Sequence, residues 1–254
     1  MNPIRDLHQL GQSLWYDNIQ RRMLENGELA QLVESGQVRG VTSNPSIFQN
    51  AIAKTSDYDS ALKPMAWAGW DSDSIFWQLA VEDIRAAADL FSPLYKETKG
   101  GDGYVSLEVS PLLAKDSAKT AKEAKRLWTW VDRPNLMIKI PATVEGLPAV
   151  RQTIAEGINV NVTLIFSLER YARVMDAYMD GLEDRLAAGK PIDGIVSVAS
   201  FFVSRVDTKV DGLLKTIPNG EKLQGKAAIA NAKLAYALFN DVIASKRWQK
   251  LAAQ

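Results

Sequence analysis

Short apolar runs alternate along the chain with longer stretches of helical periodicity, and this alternation restricts the fold more than any other feature. Six runs are predicted to be strands, at 13–16, 38–42, 104–109, 136–140, 159–165 and 194–199. Between strands, residues 75–91 and 168–188 repeat apolar side chains at the 3.6-residue spacing of amphipathic helices. Alternating β and α segments predict parallel strands joined by helical crossovers, an α/β fold.

The length of 254 residues suits a β/α barrel, which reaches this size as a single domain. We therefore expect one domain over 1–254, a TIM (β/α)8 barrel with only about six of its eight strands present. Residues 226–254 are predicted to form one long helix, with no strand after it. On this count the barrel is partial, and we expect the sequence to be C-terminally truncated.

Composition excludes several classes of function. Thirty basic residues balance thirty acidic ones, which argues against nucleic acid or an anionic membrane as the main partner. The absence of cysteine excludes disulfides and thiolate metal sites, and a single histidine excludes a multi-histidine site. The N-terminus, residues 1–6, opens no signal peptide, and no apolar run approaches a membrane span. We expect a cytoplasmic protein that needs no metal.

The run 136–140 carries a lysine, Lys139, in the middle of an otherwise apolar strand. Burial disfavours the charged ammonium, and a neutral amine is a nucleophile whose natural target is a carbonyl carbon. A lysine that points out of an edge strand and reaches water with its tip explains the pattern equally well. The strand by itself leaves the two interpretations open.

Polar residues also follow or end the other predicted strands. In parallel α/β folds the reactive groups gather at the carboxyl ends of the strands. The candidates are Asp17, Asn44, Glu108, Lys139, Asn161, Thr163, Ser200 and Arg205.

Most of these residues have an ordinary structural explanation when each is taken alone. Asp17 could cap a helix, Asn44 could form a turn and cap, and Glu108 could point outward from its strand. Arg205 could be a surface residue of a helix, and Thr163 is common in strands. That every strand carries such a group at one rim favours a shared site.

The fifth predicted strand shows the clearest alternation. Asn161 and Thr163 alternate with Val160, Val162 and Leu164. We therefore expect the two polar side chains on one face and the three apolar ones on the other.

The motifs together resemble the transaldolase family, the bacterial class I enzymes that form a lysine Schiff base. The resemblance covers residues from about 7 to about 207. It is carried, in the family's order, by WYD at 15–17, GVTSNPSIF at 40–48, VSLEV at 105–109, IKIPAT at 138–143, GINVNVTLIFS at 157–167 and SFFVSR at 200–205.

The resemblance implies a catalytic set of four residues and no cofactor. Lys139 would form the Schiff base with the C2 carbonyl of a ketose phosphate, and Asp17 would take the proton of the C4 hydroxyl as the C3–C4 bond breaks. Glu108 and Thr163 would hold the water used in Schiff-base formation and hydrolysis. Retro-aldol cleavage needs an electron sink and a general base, and a protonated imine with a carboxylate supplies both.

The resemblance also implies a substrate-binding set. Asn44 and Asn161 would hydrogen-bond the dihydroxyacetone hydroxyls, with Ser200 close by. Arg205 would bind the substrate phosphate through its forked guanidinium. The implied partners are sugar phosphates, with no nucleic acid and no membrane. The family also leaves open a homodimer, and a longer parent chain fused to glucose-6-phosphate isomerase.

Two departures from the family's pattern keep alternatives open, an incomplete phosphate pocket and a barrel that the six predicted strands do not close. The family's phosphate pocket also draws a serine and a basic residue from the seventh strand, which the sequence lacks. The related fructose 6-phosphate aldolases carry Gln and Tyr where this chain has Glu108 and Phe202, which favours transaldolase. A fragment that only binds sugar phosphates without turnover is the third alternative.

Overall fold

The computed structural model describes residues 3–254, and its elements alternate between strand and helix as the sequence predicts. Residues 1 and 2, part of the segment interpreted as lacking a signal peptide, lie outside the described residues. The strands of the described part are β1 Trp15–Tyr16, β2 Gly40–Thr42, β3 Tyr104–Glu108, β4 Leu136–Pro141, β5 Val160–Ile165 and β6 Ser197–Phe201. The helices are α1 Pro3–Gln9, α2 Arg21–Glu25, α3 Glu28–Glu34, α4 Pro45–Lys54, α5 Asp59–Trp67, α6 Ser72–Glu97, α7 Ser117–Val131, α8 Gly146–Ala155, α9 Leu168–Ala187, α10 Ser204–Leu214, α11 Ala227–Ile243 and α12 Lys246–Ala252.

The contacts divide the chain into two compact units, and the division falls inside β4. The first unit extends to Pro111 and includes Glu123–Ile138; the second consists of Leu112–Lys122 and Lys139–Gln254. Strands β1, β2 and β3 pair in parallel within the first unit, and β5 and β6 pair in parallel within the second. The α/β fold class of the barrel type is confirmed, while the single domain stays a prediction.

A buried carboxylate ties α2, α5 and α6 together in the first unit. Asp83, only 2% exposed, accepts a hydrogen bond from the Tyr58 hydroxyl at 2.7 Å and one from Arg21 Nε at 2.8 Å. The Arg21 guanidinium also lies over the Tyr58 ring, 4.8 Å from its centroid. Burial raises the pKa of the Asp83 carboxyl, and the charge of Arg21 opposes that rise.

The second unit contains the last three residues of β4, all of β5 and the packed helix pair α8–α9. All six residues of β4 are buried, and so are five of the six in β5. A Cβ added to Gly181 of α9 would lie 2.7 Å from the carbonyl oxygen of Arg151 on α8, so the glycine lets the two helices approach closely. Ser167 caps α9 by accepting from the Arg170 amide, as its position before the helix predicts.

The prediction of one helix over 226–254 is wrong. The segment folds as α11 and α12, separated at Ser245, whose hydroxyl accepts from the Trp248 amide and caps the second helix. The break turns Arg247 towards α9, where its Nε donates to Glu183 at 2.9 Å. Apolar periodicity continues through the break, so a local cap with a distant ion pair decides the boundary.

We predict that Asp83→Asn destabilises the protein by about 2 kcal/mol, because the Arg21 guanidinium loses its buried counter-charge and keeps only Glu82, a partly exposed partner at 2.9 Å. Urea unfolding followed by circular dichroism measures the change. The control is Glu169→Gln, which breaks the exposed Arg173–Glu169 pair and should cost less than about 0.5 kcal/mol. Equal losses in the two variants would contradict the structural role of Asp83.

Candidate active site

Asp17 follows β1 in the first unit, and the local packing of Trp15 holds that strand. Trp15 pairs with Gly40 of β2, and a Cβ on Gly40 would lie 2.6 Å from the indole ring. The indole ring therefore packs directly on the backbone of Gly40, and a side chain at that position would prevent this contact. Asp17 itself is exposed. The cap alternative is not what the structure shows, since α2 begins at Arg21 with Gln20 in the capping position.

Asn44 is the N-cap of α4, as its structural alternative predicted. Its Oδ1 accepts a hydrogen bond from the Ile47 amide at 3.0 Å, and Pro45 occupies the first helical position. Because the oxygen is committed to the helix, the group that Asn44 can offer a ligand is its NH2, a donor. The cap also fixes the orientation of that donor.

Glu108 ends β3 and is half-buried. It shares a narrow crevice with Asn44, between Leu107 of the same strand and the aromatic pair Phe76 and Trp77, whose ring centroids are 5.3 Å apart. The first unit thus brings two of the predicted site residues, an amide and a carboxylate, to one crevice.

Lys139 lies in β4 with only 5% of its surface exposed. The alternative in which the lysine points from an edge strand into water is therefore not observed. Its strand neighbours Ile138 and Ile140 are fully buried. The amine is held inside the protein, where a reacting carbonyl group would be shielded from bulk water.

The pairing of β4 with β5 sets which residue lies beside Lys139. The Ala142 amide donates to the Thr163 carbonyl at 2.8 Å. In parallel pairing this bond puts Pro141 opposite Thr163, and two residues earlier it puts Lys139 opposite Asn161. Asn161 and Thr163 are each 1% exposed, so the predicted polar face of β5 is buried.

Ser200 of β6 completes this group. Its hydroxyl donates to Asn161 Oδ1 at 2.8 Å, and Asn161 pairs with Val198, two residues before Ser200 on the same face. The hydroxyl fixes which way the Asn161 amide points. Lys139, Asn161 and Ser200 therefore form one row across three strands of the second unit.

The alternation expected for β5 fails at Leu164. Pairs Val162–Ala199 and Ile165–Phe201 leave one extra residue on β5, a bulge, and Leu164 adopts a left-handed conformation with φ 61°. Its side chain is 37% exposed and does not join the apolar face. Sequence alternation carries no signal for a bulge, because the extra residue is a property of two strands together.

Arg205 lies in the first turn of α10 and is exposed, as its surface alternative predicted. Its guanidinium carbon lies 4.7 Å from the centroid of the Phe202 ring. This cation–π contact was not predicted. The only signal was the spacing of three residues between the aromatic ring and the arginine at the start of a helix.

The predicted site residues thus fall into two groups. Asp17, Asn44 and Glu108 belong to the first unit; the second unit holds Lys139, Asn161, Thr163, Ser200 and Arg205. Within the part of the chain that the structure describes, no group of His, Cys, Asp or Glu side chains is arranged to hold a metal ion. In the same part, no helix is long and apolar enough to cross a membrane.

The second unit also contains a cavity of about 440 Å³ between α9, β6, α11 and α12. Apolar and aromatic side chains such as Tyr178, Phe239 and Trp248 line most of it, and none of the predicted site residues does. Because none of the candidate catalytic residues lines this cavity, we do not assign the active site to it.

Comparison with known proteins gives one consistent answer. The model of the transaldolase/fructose-6-phosphate aldolase family matches residues 14–252. Proteins named transaldolase from Thermobifida fusca and Saccharopolyspora erythraea are 53% and 52% identical over 99% and 98% of the chain. The chain spans 69% and 67% of those relatives. A putative fructose-1,6-biphosphate aldolase structure from Coccidioides immitis gives a TM-score of 0.30 at 12% identity, over 94% of this chain and 91% of that one, too low to support any conclusion.

We predict that Gly40→Ala destabilises the protein by about 2 kcal/mol, because the new Cβ forces the Trp15 ring away from β2. Thermal unfolding measures the loss. In the control Gly212→Ala the new Cβ meets nothing within 4 Å on α10, and the substitution should stabilise by about 0.5 kcal/mol through helix propensity. A loss of the same size in both variants would sink the argument from Trp15.

Proposed function

Because the chain belongs to the transaldolase/fructose-6-phosphate aldolase family, we propose that it transfers a dihydroxyacetone unit from sedoheptulose 7-phosphate to glyceraldehyde 3-phosphate. The reaction is that of a transferase of ketone residues in the pentose phosphate pathway, with sugar phosphates as substrates. The observation that carries the proposal is the burial of Lys139 at 5% exposure in a strand opposite Asn161.

Lys139 is the nucleophile of this proposal. Its amine adds to the C2 carbonyl of the ketose, and loss of water leaves a protonated imine. Asp17 then removes the proton of the C4 hydroxyl, and the C3–C4 bond breaks. Its electron pair moves into the imine to form an enamine, and the remaining part of the sugar leaves as the aldehyde erythrose 4-phosphate. The enamine attacks the acceptor aldehyde, Asp17 returns the proton, and water releases the product from Lys139. The reaction written in this way uses no oxidant and no metal ion.

The remaining polar residues hold water and substrate. Glu108 and Thr163 position the water that is lost on imine formation and regained on hydrolysis. Asn44 and Asn161 donate to the dihydroxyacetone hydroxyls, and Ser200 orients Asn161. The cap at Asn44 and the Ser200 bond support these roles, because each commits an amide oxygen to the protein.

Arg205 is proposed to bind the substrate phosphate. Its exposure suits a dianion that arrives from solvent, and its planar fork can donate two parallel hydrogen bonds to phosphate oxygens. A homodimer and fusion to glucose-6-phosphate isomerase in a longer chain are predictions from the family, and a cytoplasmic location is a prediction from the sequence. Sedimentation equilibrium tests the dimer.

Fructose 6-phosphate aldolase activity is the second candidate, since the matching family model covers both activities. Glu108 and Phe202 favour transfer, because the aldolases carry Gln and Tyr there. Relatives at about half identity over nearly the whole chain are named transaldolase, which also favours transfer over a protein that only binds sugar phosphates.

We predict that borohydride traps fructose 6-phosphate as an adduct on Lys139. Lys139→Met should abolish the adduct and lower the rate of dihydroxyacetone transfer by about 10³-fold or more, since the nucleophile is removed. Peptide mass analysis locates the adduct. Lys190→Met removes an exposed lysine and should leave both unchanged. An adduct on another lysine, or none in a folded sample, would overturn the assignment.

The choice between transfer and simple cleavage has its own prediction. With fructose 6-phosphate alone, release of free dihydroxyacetone should be far slower than formation of sedoheptulose 7-phosphate once erythrose 4-phosphate is added. The enamine waits for an aldehyde instead of being hydrolysed. Both rates are measured by chromatography of the products. Rapid release without an acceptor would identify an aldolase.

A further inference from the structure

We propose that Phe202 is a positioning residue for Arg205, and that Phe166 and Asn231 hold the Phe202 ring in place. The consequence is a guanidinium ordered before the substrate phosphate arrives. The proposal deepens the proposed function and rests on it in one respect, the assignment of Arg205 to the phosphate. All four residues belong to the second unit.

The Arg205 guanidinium lies over the Phe202 ring. Its Cζ is 4.7 Å from the ring centroid, inside the range of cation–π attraction. A guanidinium carries five N–H donors, and a phosphate can accept from those that do not face the ring. Arg205 is exposed, so these donors can be reached from solvent.

The Phe202 ring is itself held from two sides. The Phe202 amide donates to the Ile165 carbonyl at 2.9 Å, directly after the bulge of β5. The ring of Phe166 meets Phe202 edge to face, with centroids 5.2 Å apart and planes at 86°. This is the preferred geometry for an aromatic pair.

Asn231 links this aromatic pair to α11. Its Nδ2 donates to the Phe166 carbonyl at 3.0 Å. The segment that follows the bulge at Leu164 places the Phe166 ring against Phe202. The Asn231 side chain, from a helix distant in the sequence, holds the backbone of Phe166. The arrangement extends from Asn231 through Phe166 and Phe202 to Arg205.

Ordering Arg205 matters because an exposed arginine has many rotamers. Binding a phosphate confines them, and that loss of entropy weakens affinity. A ring that already confines the guanidinium removes part of the loss. An exposed cation–π contact corresponds to roughly a two- to fivefold change in affinity, which sets the size of the expected effect.

Inorganic phosphate is the probe, measured as a competitive inhibitor of the 254-residue protein. Phe202→Leu should raise its inhibition constant roughly two- to fivefold and raise KM for fructose 6-phosphate similarly, with a smaller change in kcat. Phe202→Tyr keeps the ring face and should restore the inhibition constant. Tyr236→Leu removes an exposed aromatic side chain on α11 and serves as the control. If Phe202→Leu unfolds, Phe202→Met takes its place.

The double variant decides the mechanism. In an Arg205→Ala background, Phe202→Leu should no longer affect phosphate inhibition, because there is no guanidinium left to position. If Arg205→Ala weakens phosphate but Phe202→Leu does not, the positioning role is wrong while the phosphate assignment stands. If Arg205→Ala leaves phosphate inhibition unchanged, both the assignment and the positioning role are wrong.

Discussion

The parallel pairing of β4 with β5 is the constraint on which the second unit depends. It buries an amine, Lys139, in a strand where neighbouring residues are fully apolar, and it places Asn161 opposite that amine. An amine taken out of water needs polar partners nearby, and a buried strand supplies them only through adjacent strands. The burial of Lys139 therefore requires the polar residues between Lys139 and Ser200, whatever role they also have in binding or catalysis.

A common device fixes the two asparagines assigned to substrate. Asn44 commits its oxygen to the first turn of α4, and Asn161 accepts from the Ser200 hydroxyl. An asparagine amide that turns freely offers a donor and an acceptor with equal ease. Once its oxygen is engaged, the side chain has one orientation and presents a donor. The Arg205 side chain is likewise restricted by a contact within the protein, since its guanidinium lies over the Phe202 ring.

Much of this could be predicted because it is local. The six strands and the helix over Leu168–Ala187 follow from apolar periodicity, and the cap at Ser167 follows from its position before the helix. The break at Ser245 could not, since the apolar pattern continues across it and the ion pair of Arg247 involves a helix some sixty residues away. The bulge at Leu164 escaped for a related reason: it exists only as a mismatch between β5 and β6. The cluster of Arg21, Tyr58 and Asp83 joins three helices, and no spacing rule connects them.

The sequence by itself determined the alternation of strands and helices, the membership in one enzyme family, and which residue types end each strand, because these properties reside in short motifs. It left open whether Lys139 faces water or the interior, whether Asn44 is a cap, and what surrounds Arg205. The tertiary structure decided these points: Lys139 is buried, Asn44 caps α4, and the Arg205 guanidinium lies over the Phe202 ring. The physical reason differs between them. The burial of Lys139 depends on strands that are far apart in the chain and meet only in the folded protein, whereas the contacts of Asn44 and Arg205 depend on side-chain rotamers that a sequence pattern does not fix.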